Sequence, residues 1–182
     1  MRRKIVVGVT GASGMIYASR LLHHLTPLAQ VHLIISPVAR EIAAHEGVSF
    51  DNLEVTTHRF DDLAAPIASG SFRHDGMVIV PCSMKTLASV ASGITPNLVA
   101  RAADVALKER RPCLLLLREN PLSRIHLTNM LTAHDAGATI MVASPPFYHQ
   151  PTSMEELADA VIARILDHLQ VEHDISGRWS GY

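Results

Sequence analysis

Short apolar runs alternate with longer amphipathic stretches along most of the chain. The apolar runs are rich in β-branched residues and predict strands, which lie at residues 4–9, 31–35, 76–80, 113–117 and 139–142. The amphipathic stretches repeat apolar residues at helical spacing and predict helices, which lie at residues 14–28, 38–45, 84–91, 97–109, 123–136 and 153–169. Repeated strand–helix units predict a doubly wound, Rossmann-like α/β fold, with a mainly parallel sheet covered by helices on both faces.

One segment departs from this alternation. Residues 48–76 show little periodicity and predict only a weak edge strand and a long loop. The chain shows no internal repeat, low-complexity tract or linker, so residues 1–182 are assigned to a single domain.

The composition indicates a globular protein whose surface is partly covered. Apolar residues make up 48% of the chain and charged residues 18%, against a usual charged share of about 25%. We therefore expect a homo-oligomer. The formal net charge is −1, from 16 Lys and Arg against 17 Asp and Glu, so no basic field is present to collect nucleic acid.

Two further sequence patterns indicate whether the chain spans a membrane and in which cellular compartment it works. The longest apolar runs are far shorter than the roughly 20 residues of a spanning helix, and the N-terminus has a strand pattern rather than a signal-peptide core. We expect a soluble protein without a membrane partner. Cys82 and Cys113 lie in or beside apolar runs, where a buried thiol is the simpler interpretation, and this predicts a reducing, cytoplasmic setting.

Ligands of open α/β sheets bind beyond the carboxyl ends of the strands. There, the first strand runs into a small-residue turn at 8–14, GVTGASG, whose N–H groups can approach an anion. The spacing matches neither the dinucleotide nor the nucleoside-triphosphate motif, and the second strand ends at Ser36 without an acid for an adenosine ribose. NAD is disfavoured. Taken alone, the sequence of this turn is equally compatible with a site for a mononucleotide phosphate and with a tight turn that binds no ligand.

A second candidate part of the ligand site follows the strand at 76–80. Residues 81–86, PCSMKT, open a helix, and N-capping by itself would explain the Ser83 hydroxyl. Lys85 and Thr86 add a charge and a second hydroxyl at the same helix N-terminus, which favours a phosphate or a polar ring as ligand. Both turns are expected to line one crevice.

Two residue pairs extend the candidate site. Arg118 and Glu119 follow an apolar strand, and a base beside an acid at the ligand edge suits phosphate binding and proton transfer. Phe147 and Tyr148 follow the last strand and are expected to form a pocket wall.

Other conspicuous residues have simpler interpretations. The 11 histidines show no metal-ligand spacing and no Asp-rich magnesium motif occurs, so we predict no metal site. Charges at 109–111 are expected on a solvated helix end. Taken singly, Arg164 is expected in a salt bridge on the last helix, and Trp179 is expected as a tail anchor at an interface.

The ordered motifs resemble one known family. They are TGASG at 10–14, ASGS at 68–71, PCS at 81–83, the stretch 101–112, RE at 118–119, FYHQP at 147–151 and RW at 178–179. Over essentially its whole length the chain is similar to the UbiX-type flavin prenyltransferases. The resemblance implies a homododecamer that joins a dimethylallyl group from dimethylallyl monophosphate to N5 and C6 of reduced FMN. The product, prenylated FMN, would pass to UbiD-type decarboxylases.

The resemblance also implies roles for particular residues, and Glu46 would lie near the flavin edge. FMN would be held by Gly11, Ala12, Ser13, Ser36, Ser83, Met84, Lys85, Thr86 and Arg118. The donor phosphate would be surrounded by Lys108, Arg118, Glu119, Tyr148 and Arg164.

The residues support a mechanism of that form. Breaking an allylic C–O bond requires charge stabilisation on the departing phosphate, and without a metal motif the available cations are Lys108, Arg118 and Arg164. Glu119, with Ser13 as a relay, is expected to protonate that phosphate, and Glu46 is expected to accept the proton lost at C6. The residues expected to be catalytic are Ser13, Glu46, Glu119 and Lys108.

Two other functions stay open. A flavin-dependent decarboxylase of the cysteine-decarboxylase type would use a histidine after the second strand, where His45 lies. A non-catalytic flavin carrier would need Arg118 but not Glu119. The sequence also leaves open whether the donor carries one phosphate or two, although the missing magnesium motif favours one, and whether the pathway is quinone biosynthesis or aromatic-acid degradation.

Overall fold

A computed structural model describes residues 2–175, so the expectation for Trp179 lies outside the described residues. Six parallel strands form one sheet in the order β3-β2-β1-β4-β5-β6. The strands are β1 Arg3–Val9, β2 Ala29–Ile35, β3 Thr56–His58, β4 Gly76–Cys82, β5 Cys113–Leu117 and β6 Thr139–Val142. The helices are α1 Met15–Leu25, α2 Pro37–His45, α3 Met84–Ser92, α4 Leu98–Lys108, α5 Arg124–Asp135 and α6 Met154–His168, with a 3₁₀ turn at Pro66–Ala68.

The core lies on both faces of the sheet. One apolar layer joins the sheet to α1, α2 and α6, and the other joins it to α3, α4 and α5. Every residue of β4 and β5 is buried, which explains why these strands are apolar throughout rather than alternating. The predicted doubly wound fold is confirmed, and its chain order reverses between β1 and β4.

Element boundaries differ from the predicted ones where local chemistry intervenes. The first helix begins at Met15 because Gly14 has φ of +101°, a left-handed conformation that favours glycine. Ser36 and Ser83 are the N-caps of α2 and α3, and Pro37 occupies the first turn of α2. The weakly patterned segment holds only the three-residue edge strand β3 and the 3₁₀ turn, as expected.

Two further sequence expectations concern burial. Cys82 and Cys113 are free and buried, and burial raises the pKa of both thiols, so they are poor nucleophiles. Between residues 2 and 175, no helix combines the length and the apolar character that crossing a membrane requires.

Buried histidines pack near the β3 edge of the sheet. His32 Nδ1 lies 3.0 Å from His58 Nε2, and the His32 ring meets Phe72 edge-on. His32 is only 6% exposed. Burial, and then the positive charge of neighbouring histidines and Lys4, lowers the pKa of His32 to about 4.

Acid should therefore destabilise the fold through His32. As pH falls below about 6.5, His32 binds a proton in the unfolded chain but stays neutral in the folded chain. The free energy of unfolding therefore decreases by about 3 kcal/mol by pH 4. Urea denaturation between pH 4 and pH 8 measures this loss. Replacing His32 by Gln should make the profile less steep, while His58 and His74, whose pKa values are also lowered by burial, keep part of the loss. Replacing the exposed His134 by Gln should leave the slope unchanged. An equally steep acid loss in His32→Gln would assign the effect to other groups.

Candidate functional site

The turns after β1 and β4 are joined at the point where the strand order reverses. Thr10 is buried, and its hydroxyl donates to the Pro81 carbonyl at 3.0 Å while accepting from the Ser83 N–H at 2.8 Å. The two turns therefore meet at one point of the carboxyl edge, where open α/β sheets bind ligands. That both line one ligand crevice stays a prediction. The sequence analysis did not predict that Thr10 links the two turns. A threonine placed directly after an apolar strand was the feature that could have indicated it.

Glu46 caps the N-terminus of α1. Its carboxylate accepts from the Gly14 N–H at 2.9 Å and from the Met15 N–H at 2.7 Å. Burial raises the pKa of Glu46, but these two N–H groups, the Ser13 hydroxyl and the Arg118 charge together hold it below its usual value. Glu46 is therefore an ionised group that already occupies the helix N-terminus expected for a phosphate.

Arg118 and Glu119 lie at the same edge, as expected from the end of β5. Arg118 Nε donates to the Ser13 carbonyl at 3.0 Å, so the guanidinium lies against the first turn. The Glu119 carboxylate accepts from the Asn120 N–H at 3.2 Å. The Ser13 hydroxyl helps to lower the pKa of Glu46. A proton relay from Glu119 through Ser13 stays a prediction.

The hydroxyls expected to hold a cofactor serve first as helix caps. Ser36 Oγ accepts from the Ala39 N–H at 3.2 Å. Ser83 Oγ accepts from the Thr86 N–H at 3.3 Å and lies 3.0 Å from Thr86 Oγ1. A capping hydroxyl oxygen accepts one bond and keeps its hydrogen for donation, so capping and ligand binding are compatible at these positions.

This edge has side-chain donors of the kind that a flavin mononucleotide needs. Hydroxyl and N–H donors of two adjoining turns lie beside the guanidinium of Arg118, while Lys85 is exposed at the start of α3. At Gly11 an added Cβ would lie 2.8 Å from Val38 Cγ1, so the turn packs closely on α2. Hydroxyls and a guanidinium are groups that fit a phosphate and a polar ring. The full set expected to hold FMN stays a prediction: Gly11, Ala12, Ser13, Ser36, Ser83, Met84, Lys85, Thr86 and Arg118.

Lys108 is not brought to this edge. It ends α4 and precedes β5, whereas Arg118 follows β5, so the two ends of that strand separate them by on the order of 15 Å. Lys108 pairs instead with Glu109. Within one chain Lys108 and Arg118 lie at opposite edges of the sheet, because a helix that runs back before a parallel strand ends at the edge where that strand begins. Their meeting at the donor phosphate, in a site shared between copies, stays a prediction.

Arg164 is also remote from Arg118 in one chain. It lies in the last turns of α6 and pairs with Asp167 at 2.6 Å. The carbonyl of Leu169, just after that helix, accepts from the Arg3 guanidinium at the start of β1, so this part of α6 lies towards the amino edge. The salt bridge expected for Arg164 taken singly is confirmed.

The aromatic pair lies on the carboxyl edge after β6. Phe147 is 70% and Tyr148 57% exposed. That the two rings form a pocket wall stays a prediction. Within residues 2–175, no group of three or more metal-ligating side chains is arranged to hold an ion.

The comparisons with known proteins agree with this geometry. Residues 1–177 match the family model described as Flavoprotein. The chain is 49% identical over 181 residues to the flavin prenyltransferase UbiX of Deinococcus radiodurans, covering 97% of this chain and 93% of that protein. The crystal structure of AnUbiX in complex with FMN and dimethylallyl pyrophosphate superposes with a TM-score of 0.95 at 42% identity, covering all of both chains.

A third relative concerns assembly. The dodecameric FMN-dependent UbiX-like decarboxylase from Escherichia coli O157:H7 superposes with a TM-score of 0.92 at 41% identity, covering 98% of this chain and 100% of that one. The match to the family model over residues 1–177 shows that the chain is a flavoprotein. Within that class, the chain belongs to the UbiX family of flavin prenyltransferases.

Proposed function

We propose that this protein transfers a dimethylallyl group from dimethylallyl monophosphate to N5 and C6 of reduced FMN, releasing phosphate and prenylated FMN. The observation that carries the proposal is the junction of the two turns with Arg118 and Glu119 at one sheet edge, in a chain similar to one that binds FMN and dimethylallyl pyrophosphate. Bound reduced FMN supplies the electron-rich ring that accepts the allyl carbon.

The chain's own residues would bind the departing phosphate and move its protons. Arg118 supplies a fixed positive charge beside Ser13, and charge stabilisation at the leaving oxygen is a large contribution to such reactions. Glu119 is exposed at the adjacent position and would protonate that oxygen. Glu46, held ionised by α1, would accept the proton released when the C6 bond forms.

The proposed site is completed by other copies of the chain. Lys108, Tyr148 and Arg164 are exposed and would reach the phosphate from neighbouring copies. Helix α5 buries only Ala133 and exposes Ile125, Leu127 and Leu131 by 53–71%. Leu127 and Leu131 lie one turn apart, and these exposed apolar side chains are surface that assembly would cover. We propose a homododecamer in the cytoplasm that passes its product to a UbiD-type decarboxylase.

Mass spectrometry of the flavin tests the reaction. Anaerobic incubation with reduced FMN and dimethylallyl monophosphate should give a flavin heavier by about 68 Da, the mass of C5H8. The same incubation with the diphosphate tests whether one phosphate is preferred. Unmodified flavin with both donors would contradict transfer, and carbon dioxide released from a cysteine-containing peptide would favour the decarboxylase.

A further inference from the structure

The loop before β4 is fixed against both ends of α4. A tight turn runs from Ser69 to Phe72, where the Phe72 N–H donates to the Ser69 carbonyl at 3.2 Å. Arg111, just beyond α4, donates to the carbonyls of Gly70 and Phe72, each at 2.8 Å. Arg101, in the first turn of α4, donates to the Ala68 carbonyl at 3.0 Å. These three bonds set how closely the turn approaches the helix.

Gly70 is the point of closest approach. A Cβ added at Gly70 would overlap Oε1 of Glu109 and lie 2.7 Å from Nζ of Lys108. Both obstructing atoms are ends of flexible side chains, so alanine could be accommodated without moving the backbone. The Lys108 ammonium, however, would have to leave its present position.

The end of α4 is a basic cluster with one internal acid. Lys108, Arg110 and Arg111 carry three positive charges against the negative charge of Glu109, whose pKa is lowered by its bond to Lys108. Glu109 occupies one donor direction of the Lys108 ammonium, and the Gly70 backbone lies on another side. With its side chain 46% exposed, Lys108 keeps donors for an anion brought by another copy.

We propose that Gly70 is a positioning residue: by lacking a side chain, it lets the Ser69–Phe72 turn and Glu109 hold the Lys108 ammonium where a second copy can use it to bind the donor phosphate. This rests on the proposed function, in which Lys108 contacts that phosphate. The substrate class concerned is a small allylic phosphate ester, not the flavin. A substitution at Gly70 is therefore expected to weaken binding of the prenyl donor and not of FMN.

The Gly70→Ala variant tests the proposal. It should raise the dissociation constant of dimethylallyl monophosphate, measured by calorimetry on the FMN-loaded protein, by about tenfold, the usual effect of weakening one hydrogen bond to a charged group. The donor KM should rise similarly with a smaller change in kcat. FMN affinity and melting temperature should stay close to those of the parent. Ser71→Ala, which changes the same turn without adding an atom beside Lys108, should leave donor affinity unchanged.

A double-mutant cycle separates this inference from the proposed function. If Gly70 acts through Lys108, adding Gly70→Ala to Lys108→Ala should cause no further loss of donor affinity. Full additivity, or an equal loss in Ser71→Ala, would overturn the positioning role. Unchanged donor affinity in Lys108→Ala would instead contradict the proposed contact of Lys108 with the donor. Parent-like affinity in Gly70→Ala, beside a weakened Lys108→Ala, would overturn the role of Gly70 alone.

Discussion

Glu119→Gln is expected to lower prenyl transfer by about 10²–10⁴-fold, the usual contribution of a general acid, while FMN binding stays nearly unchanged. Gln keeps the size of the side chain and the oxygen that accepts from Asn120, so the local fold should persist. What is lost is the proton for the departing phosphate. Transfer is measured as prenylated flavin formed per minute, and FMN affinity by quenching of flavin fluorescence.

The control for this experiment is Glu54→Gln, which removes one exposed carboxylate just before β3 and should be fully active. Three strands separate β3 from β5, which Glu119 follows. Transfer at the parent rate in Glu119→Gln would favour the flavin carrier over the enzyme. Loss of FMN binding in that variant would show that Glu119 acts in binding rather than in proton transfer.

Two inactive variants should restore activity when they are mixed in one assembly. Lys108→Ala and Glu119→Gln damage opposite edges of the sheet, so a site between two copies can take Lys108 from one variant and Glu119 from the other. With equal, random co-assembly, about a quarter of the sites would hold both native residues, so about a quarter of the parent activity should return. Co-expression followed by the flavin mass assay measures it.

The matched control pairs Arg118→Ala with Glu119→Gln. These neighbours lie on one edge of the same chain, so every copy lacks one of them and no mixture should recover. Failure of Lys108→Ala and Glu119→Gln to complement each other would contradict a site shared in that way. A monomer by light scattering that still turns over would contradict it independently.

Much of the fold was predictable because the signals are local. Strand and helix periodicity, the N-cap serines Ser36 and Ser83 and the weak segment before β4 each report on burial or hydrogen bonding within a few residues. The rule that ligands bind at the carboxyl ends of parallel strands then selected the turns at 10–13 and 81–86, and the bond from Ser83 to Thr10 confirms their meeting.

The site was predicted less completely, because the sequence around a charged residue does not show which edge of the sheet its side chain will reach. Lys108 and Arg118 looked equally suitable as phosphate-binding cations, yet one precedes β5 and the other follows it. The direction of α4 was a signal that could have separated them. For Glu46 there was no such signal, since its bonds to Gly14 and Met15 span more than 30 residues.

By itself, the sequence determined the order of the elements, the parallel doubly wound sheet, the family and the two turns of the crevice. Each depends on periodicity or on motifs that are contiguous in the chain. Only the tertiary structure decided that Glu46 occupies the α1 N-terminus, that Gly70 lies against Lys108, and that Lys108 and Arg164 are remote from Arg118. Those facts depend on how separate elements pack, and distance along the chain does not fix distance in space.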